Sequence, residues 1–248
     1  MARVTLVVPC YNEERRLHTE AFRAFSLAGH QLTFCFVNDG SRDGTLGVLE
    51  ALRQQRPDAV SVLDLAQNQG KAEAVRQGFV ASLERGADYI GFWDADLATP
   101  LGELARFIEV LEAERAREMV FGARVKLLGR HIERKVARHY LGRVFATAVS
   151  MALGLAVYDT QCGAKVFRAG PRLREVFAER FVSRWIFDVE IIARFLKVWR
   201  AAGGPSPTEA IYELPLVTWN DVAGSKLKST DFLKAIGDLW RIRRRYVA

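Results

Sequence analysis

Cysteine is scarce in this chain of 248 residues. Cys10, Cys35 and Cys162 form an odd set without the paired spacing of a zinc site or a disulfide framework, so a reduced, cytosolic setting is expected. The four histidines, His18, His30, His131 and His139, show no metal-ligand spacing either. No uncharged run reaches the ~18 apolar residues of a spanning helix. The longest covers residues 144–158, VFATAVSMALGLAVY, so any membrane contact is expected to be peripheral. MARVTLVVPCYNEE enters an apolar, strand-like run at once and gives no sign of an export leader. No GxGxxG follows that run, and Gly70 with Lys71 lacks the upstream glycine and the following Ser or Thr of a P-loop. Repeats, low-complexity tracts and linkers are absent too. A nucleotide site must then rest on side chains and a metal.

Half of the residues are hydrophobic and 26% are charged, the balance of a folded chain long enough for one large domain. The formal net charge of +7 points to an anionic partner: nucleic acid, a phosphorylated substrate or an acidic membrane. Because the aromatics do not interleave with a single basic groove, nucleic acid is not expected.

The first half alternates β-branched runs with helical patterns. VTLVVP precedes a helix from about Glu13, LTFCFVND a helix after Gly44, VSVLDLA a helix after Gly70, and DYIGFW a helix from Pro100; EMVFGAR is a fifth strand. This α/β order predicts a mostly parallel, Rossmann-like central sheet flanked by helices, with ligands at the carboxyl ends of its strands. Polar clusters at 9–13, 38–43, 68–71 and 94–96 end four of the strands, so all four share one rim. Downstream, Ile132, Val136, Tyr140, Val144 and Ala148 recur every four residues beside Arg134, Lys135, Arg138 and Arg143, the pattern of a long basic amphipathic helix. Helices are expected over 172–178 and 185–199, and a strand over YELPLV. A C-terminal helix from Ser229 should carry Phe232, Leu233, Ile236, Leu239 and Trp240 on one face and end in RIRRR.

In DYIGFWDADLATP, Asp94 and Asp96 alone read equally well in two ways. They are turn punctuation before a Thr99-Pro100 helix start, or hard-oxygen ligands for Mg2+ or Mn2+. The surroundings favour the second. PCYNEE, VNDGSRDGT, NQGKAEAVRQGF and DYIGFWDADLATP, in this order, resemble the inverting family 2 glycosyltransferases of GT-A fold. That resemblance implies that Pro9, Tyr11 and Glu13 shape the nucleotide pocket, that Asp39 accepts a hydrogen bond from the base, and that Lys71 lies near the nucleotide. Asp94 and Asp96 would be the DxD pair that holds the metal on the sugar-nucleotide diphosphate.

The later motifs, GARVKLLGRHIERKVARHYLGRVF, YDTQCGAKVFR, RWIFDVEI and YELPLVTWNDVAGSKL, resemble the subgroup that glycosylates polyprenyl phosphates. DADLAT, DTQCGAKVF, FDVE and GSKL have more in common with dolichyl-phosphate β-glucosyltransferases than with the mannosyl enzymes. One GT-A domain over 1–248 is implied, with a nucleotide-sugar half at 1–125 and an acceptor half at 126–248. Arg124, Arg134 and Arg138 are candidates for gripping the acceptor phosphate. Asp159, with Gln161 beside it, is a third catalytic carboxylate, and Lys165, Asp188 and Glu190 are further candidates. Cys162 has no evident His partner and reads as packing.

The expected activity is metal-dependent transfer of a hexose, glucose from UDP-glucose, onto dolichyl or undecaprenyl phosphate. Its product would be a β-linked lipid-phosphate sugar. Mannosyl transfer from GDP-mannose, transfer to a sugar hydroxyl, and a basic lipid- or nucleic-acid-binding module remain as alternatives. Two departures matter. Ala98 stands where mannosyl enzymes often carry Gln, which leaves the metal sphere to phosphate and water, and no hydrophobic anchor like those of the relatives is expected. Membrane access is then expected through an anionic surface at the cytoplasmic face or through a membrane-embedded partner.

Overall fold

Apolar residues on successive positions of a strand face opposite sides of a sheet, and here both sides are covered. Leu6, Val8, Phe34, Phe36 and Trp93 belong to one core, while Val7, Cys35, Val37, Ile90 and Phe92 belong to the other. The computed structural model describes residues 1–132, 136–203, 206–222 and 229–247, with 136–141 and 229–233 described by their backbone alone.

The chain runs β1 (Ala2–Cys10), α1 (Thr19–Ala24), β2 (His30–Asp39), α2 (Thr45–Gln55), β3 (Val60–Leu65), α3 (Lys71–Glu84) and β4 (Tyr89–Trp93). A 3-10 turn, Leu101–Glu103, leads into α4 (Leu104–Ala113), followed by β5 (Met119–Ala123), β6 (His131–Ile132) and α5 (Val136–Leu153). Next come β7 (Ala164–Arg168), α6 (Pro171–Ala178), α7 (Phe187–Ala201), α8 (Pro207–Ala210), β8 (Ile211–Pro215), β9 (Thr218–Trp219) and α9 (Ser229–Tyr246).

A seven-stranded sheet has the order β3-β2-β1-β4-β7-β5-β8, and β6 pairs with β9 in a small second sheet. Every pairing in the large sheet is parallel except those of β7, which runs antiparallel to both β4 and β5. The chain moves outward from β1 to β3 and then crosses back to β4 on the other side of β1. The crevice beyond β1 and β4 is therefore a topological switch point, where sheets of this kind bind ligands.

Three expectations shift. The helix after PCYNEE starts at Thr19, not Glu13: Glu13 O accepts from the Arg16 and Leu17 N–H groups in a single turn that goes no further, and neighbouring side chains bind the backbone of 12–14. Ser41 Oγ accepts from Asn12 N–H, Thr45 Oγ1 from Glu13 N–H and Asp43 from Glu14 N–H. Ile132 lies in β6 rather than opening a helix, so α5 begins four residues later. In α9 the buried set is Ala235, Leu239 and Ile242, whereas Ile236 and Trp240 point outward at 50% and 62% exposure. Phe232 and Leu233 lie outside the described side chains.

Candidate active site

At the carboxyl ends of β1 to β3, the polar clusters are laced into one another. Asn12, in a left-handed conformation, accepts a hydrogen bond from Arg42 N–H, which binds the loop after β1 to the loop after β2. Asp39 is buried at the end of β2, where its carboxylate builds the turn that follows β3. Oδ1 accepts from Gln69 N–H at 2.7 Å, while Oδ2 accepts from Gly70 N–H and Asn68 Nδ2, both at 2.9 Å. Burial raises the Asp39 pKa, opposed by those N–H bonds and by the Arg184 guanidinium. Pro9 pairs with Val37 in the β1–β2 ladder, which places Tyr11 and Glu13 just past the rim.

Lys71 opens α3 and reaches Asp94 Oδ1 at 2.5 Å. Burial opposes the lysine's charge, yet the carboxylates of Asp94, Asp188 and Asp96 raise its pKa above that of an ordinary ammonium. Past β4 the chain turns at once: Leu97 N–H donates to Asp94 O, and Asp96 Oδ1 accepts from Ala98 N–H. Leu97 is held at φ 51°, a costly conformation for a residue with a branched side chain. In a straight strand, Asp94 and Asp96 would share one face but stand two residues apart along it; the turn re-aims them. They are coupled, since burial and then the neighbouring Asp94 charge raise the Asp96 pKa.

The other half of the site arrives through β7. Asp94 N–H donates to Gly163 O at 3.0 Å, and a Cβ on Gly163 would overlap the Asp94 carboxylate. The glycine thus lets the loop at 159–163 lie directly against the acidic turn. Four residues earlier, Asp159 is gripped by Arg124, with Nε donating to Oδ2 at 2.6 Å and Nη2 to Oδ1 at 2.8 Å. Burial works against the Arg124 charge, and Asp159 more than compensates, raising the pKa of the guanidinium. The Arg124 guanidinium also lies 5.3 Å from the centre of the Trp219 ring.

Gln161 N–H donates to Asp159 Oδ1, while Gln161 Nε2 is buried without a hydrogen-bond partner among the described residues. Glu213, on β8, accepts from the Tyr158 and Asp159 N–H groups. Lys165, wholly buried, donates to the carbonyls of Thr160 and Cys162 and to Asp188. Arg143 of α5 lies 3.8 Å over the Tyr158 ring.

Asp94, Asp96, Lys71, Asp159, Arg124 and Gln161 are therefore brought to one rim. Arg134 lies outside the described residues, as does the Arg138 side chain. Cys162 is buried, and burial pushes its thiol up to about 11, in keeping with packing. Glu213 was missed by the sequence reading. Its signal was available: one carboxylate inside an otherwise apolar strand.

The donor set suits one divalent cation. Two mutually repelling carboxylates on a single turn offer hard oxygens, and among the described residues no group of three or more His, Cys, Asp or Glu side chains could hold a metal. Such a site leaves coordination positions for phosphate and water. Among the described residues no helix is long and apolar enough to cross a membrane.

Residues 5–177 match the family described as Glycosyl transferase family 2. The chain is similar to the dolichyl-phosphate beta-glucosyltransferase of Homo sapiens, at 32% identity over 99% of this chain and 76% of that protein. It is 29% identical to the one from Dictyostelium discoideum over 98% of this chain and 75% of that protein. Among solved structures, it superposes on glucosyl-3-phosphoglycerate synthase from Mycobacterium tuberculosis, bound to Mn2+, UDP and phosphoglyceric acid. The TM-score is 0.67 at 17% identity, covering 98% of this chain and 78% of that one. A mannosyltransferase from Pyrobaculum calidifontis with GDP-Man and Mn2+ gives 0.57 at 20% identity, covering 98% and 61%. The fold is that of the GT-A glycosyltransferases.

Proposed function

The chain belongs to glycosyl transferase family 2, and from that premise we propose that it moves glucose from UDP-glucose to a polyprenyl phosphate of the dolichyl or undecaprenyl type. One observation carries the reading. Through the bond from Asp94 N–H to Gly163 O, a carboxylate pair suited to a nucleotide-bound cation abuts the loop that holds Asp159 and Arg124. The dolichyl-phosphate beta-glucosyltransferases supply the substrate class, because the similarity to them runs through both halves. Residues 1–125 take the donor in this reading, and 126–248 take the acceptor.

Asp94 and Asp96 would hold Mg2+ or Mn2+, which when bound supplies charge neutralisation for the departing nucleoside diphosphate. Lys71, beside Asp94, adds positive charge on the donor side. An acceptor phosphate monoester has a second pKa of about 6 and is already largely dianionic near neutral pH, so its attack needs no strong base. Asp159 suits that chemistry. With both oxygens on Arg124 it orients the arginine that meets the acceptor phosphate, with Arg134 and Arg138 as further grips. In-line displacement at the anomeric carbon breaks its bond to the diphosphate oxygen, forms one to the acceptor oxygen, and turns an α-linked donor into a β-linked product.

Membrane contact is peripheral in this reading. Val144 and Met151 of α5 and Ile236 and Trp240 of α9 are exposed, and Arg243, Arg244 and Arg245 follow on α9. Such a surface suits anionic lipid, at about 1 kcal/mol per basic residue near the bilayer. Three buried free thiols fit the reducing, cytoplasmic side. The test is incubation of labelled UDP-glucose with dolichyl or undecaprenyl phosphate in vesicles and Mn2+ or Mg2+. Labelled lipid is expected, and its absence with every common nucleotide sugar would overturn the reading.

A further inference from the structure

The loop at 179–186 is far better anchored than a surface loop needs to be. Glu190 and Arg194, on α7 and almost wholly buried, form an ion pair at 2.8 Å. The carboxylate accepts from the N–H groups of Val182 and Ser183, and the guanidinium donates to the carbonyls of Val176, Glu179 and Arg180. Ser183 Oγ accepts from the N–H groups of Trp185 and Ile186 and donates to Asp238 on α9. A buried ion pair is a costly device, and its usual return is a unique local geometry.

That geometry carries two arginines over the turn after β3. Arg180 is satisfied there by protein, donating to Gln69 Oε1 at 3.0 Å and lying 3.6 Å from Glu73. Arg184 is not. Its Nε and Nη2 lie 2.9 and 3.0 Å from where a Cβ on Gly70 would sit, so it rests in the space that the glycine leaves open. Among the described residues it has no hydrogen bond or ion pair. Gly70 stands between Asp39, which accepts its N–H, and Lys71, which binds Asp94. An exposed guanidinium thus lies against Gly70, at the seam between the Asp39 side and the acidic turn.

Resting on the nucleotide-sugar reading above, we infer that Arg184 is a donor-binding residue that grips the diphosphate, with Glu190 and Arg194 as its positioning pair. Its planar donors match phosphate oxygens, and the nearby Asp39 carboxylate already accepts from three N–H groups, so a substrate anion is the partner that completes the site. The acceptor phosphate offers the same chemistry, but Gly70 is bonded to Asp39 and precedes Lys71, both assigned to the donor in that reading.

The experiment compares UDP and uridine binding with Mn2+ by calorimetry and ligand-observed NMR for the wild type, R184A, R184K and R180A. The inference expects R184A to weaken UDP about tenfold or more while leaving uridine unchanged. R184K should fall between the two, and R180A should stay near wild type. Unchanged UDP binding in R184A, or equal losses for UDP and uridine, would overturn it. A raised KM for polyprenyl phosphate with UDP affinity intact would move Arg184 to the acceptor and also overturn it. A wild type that binds no nucleoside diphosphate would refute the donor reading itself, a result distinct from all of these.

Discussion

Replacing Lys165 by Met tests how the loop before β7 is held. The ammonium has no exposed surface and donates to Thr160 O at 3.0 Å, Cys162 O at 2.7 Å and Asp188 Oδ1 at 2.5 Å. Met keeps most of the apolar stem. It leaves Asp188, itself 7% exposed, without its hydrogen-bonded cation, with only the charge of Lys71 still acting on it, and strips a donor from two carbonyls. Removing one partner of such a pair costs about 3–5 kcal/mol, against a total stability of about 5–15 kcal/mol. For a chain of this size that lowers Tm by about 6–20 °C. A second change, Asp188→Leu, removes the orphaned charge, so the double variant should be at least about 2 kcal/mol more stable than the sum of the single losses.

Turnover should not return with stability. The same loop carries Gly163 O against Asp94 N–H and Asp159 against Arg124, so kcat should stay at least about tenfold down in the double variant, well below its melting temperature. Urea unfolding followed by tryptophan fluorescence gives the four-protein cycle, and steady-state assays give the rates. Additive single losses, or wild-type kcat in Lys165→Met, would refute the clamp.

Asp94→Asn and Asp96→Asn should each cut metal-dependent turnover by about a hundredfold or more while weakening Mn2+ binding, read by initial rates and by electron paramagnetic resonance. Gly163→Ala should lower kcat at least about tenfold with a smaller effect on melting, because the added methyl meets the Asp94 carboxylate. Glu213 has its pKa raised above the ordinary 4.5 by burial first, and further by Asp159, against the N–H bonds from Tyr158 and Asp159. Its stabilising contribution is full below 4.5 and is lost as pH rises through the raised value, so urea midpoints of Glu213→Gln should vary less with pH across that window than those of the wild type. Trp240→Ser, at an exposed site, should weaken flotation with anionic vesicles severalfold without shifting Tm.

Much of the rim at the ends of β1 to β4 was legible because its code is local. β-branched runs closed by Pro9, Asp39, Asn68 and Asp94 mark strand ends, and a parallel sheet puts such ends on one rim. The rest depends on contacts between distant residues. No spacing in the sequence says that Arg124 and Asp159 are bonded to each other, so they read as separate gripping and catalytic groups rather than as one pair. The path of the chain at 12–14 is likewise set by distant residues, its N–H groups donating to Ser41, Thr45 and Asp43, and the turn from Glu13 does not extend into the expected helix. In α9, large apolar residues suggested the packed face, but small Ala235 belongs to it and Trp240 does not. Burial there follows geometry, not side-chain size.

The strand that the sequence reading left unassigned explains why two half-sites meet at all. β7 carries Lys165 at its second position, among residues buried on both faces, so no alternation announces it. Being antiparallel to its neighbours, it presents its amino end where β4 presents its carboxyl end, with Trp93 opposite Ala164. Were β7 parallel, the loop that precedes it would emerge at the far rim, about 17 Å from Asp94 at ~3.3 Å per residue, and Asp159 could not approach the acidic turn. In the proposed function, one reversed strand therefore lets a second, anionic substrate approach the cation that Asp94 and Asp96 would hold for a nucleotide on the parallel half. The loop before β7 can then shift little without disturbing both half-sites, which is why its Lys165 clamp is buried.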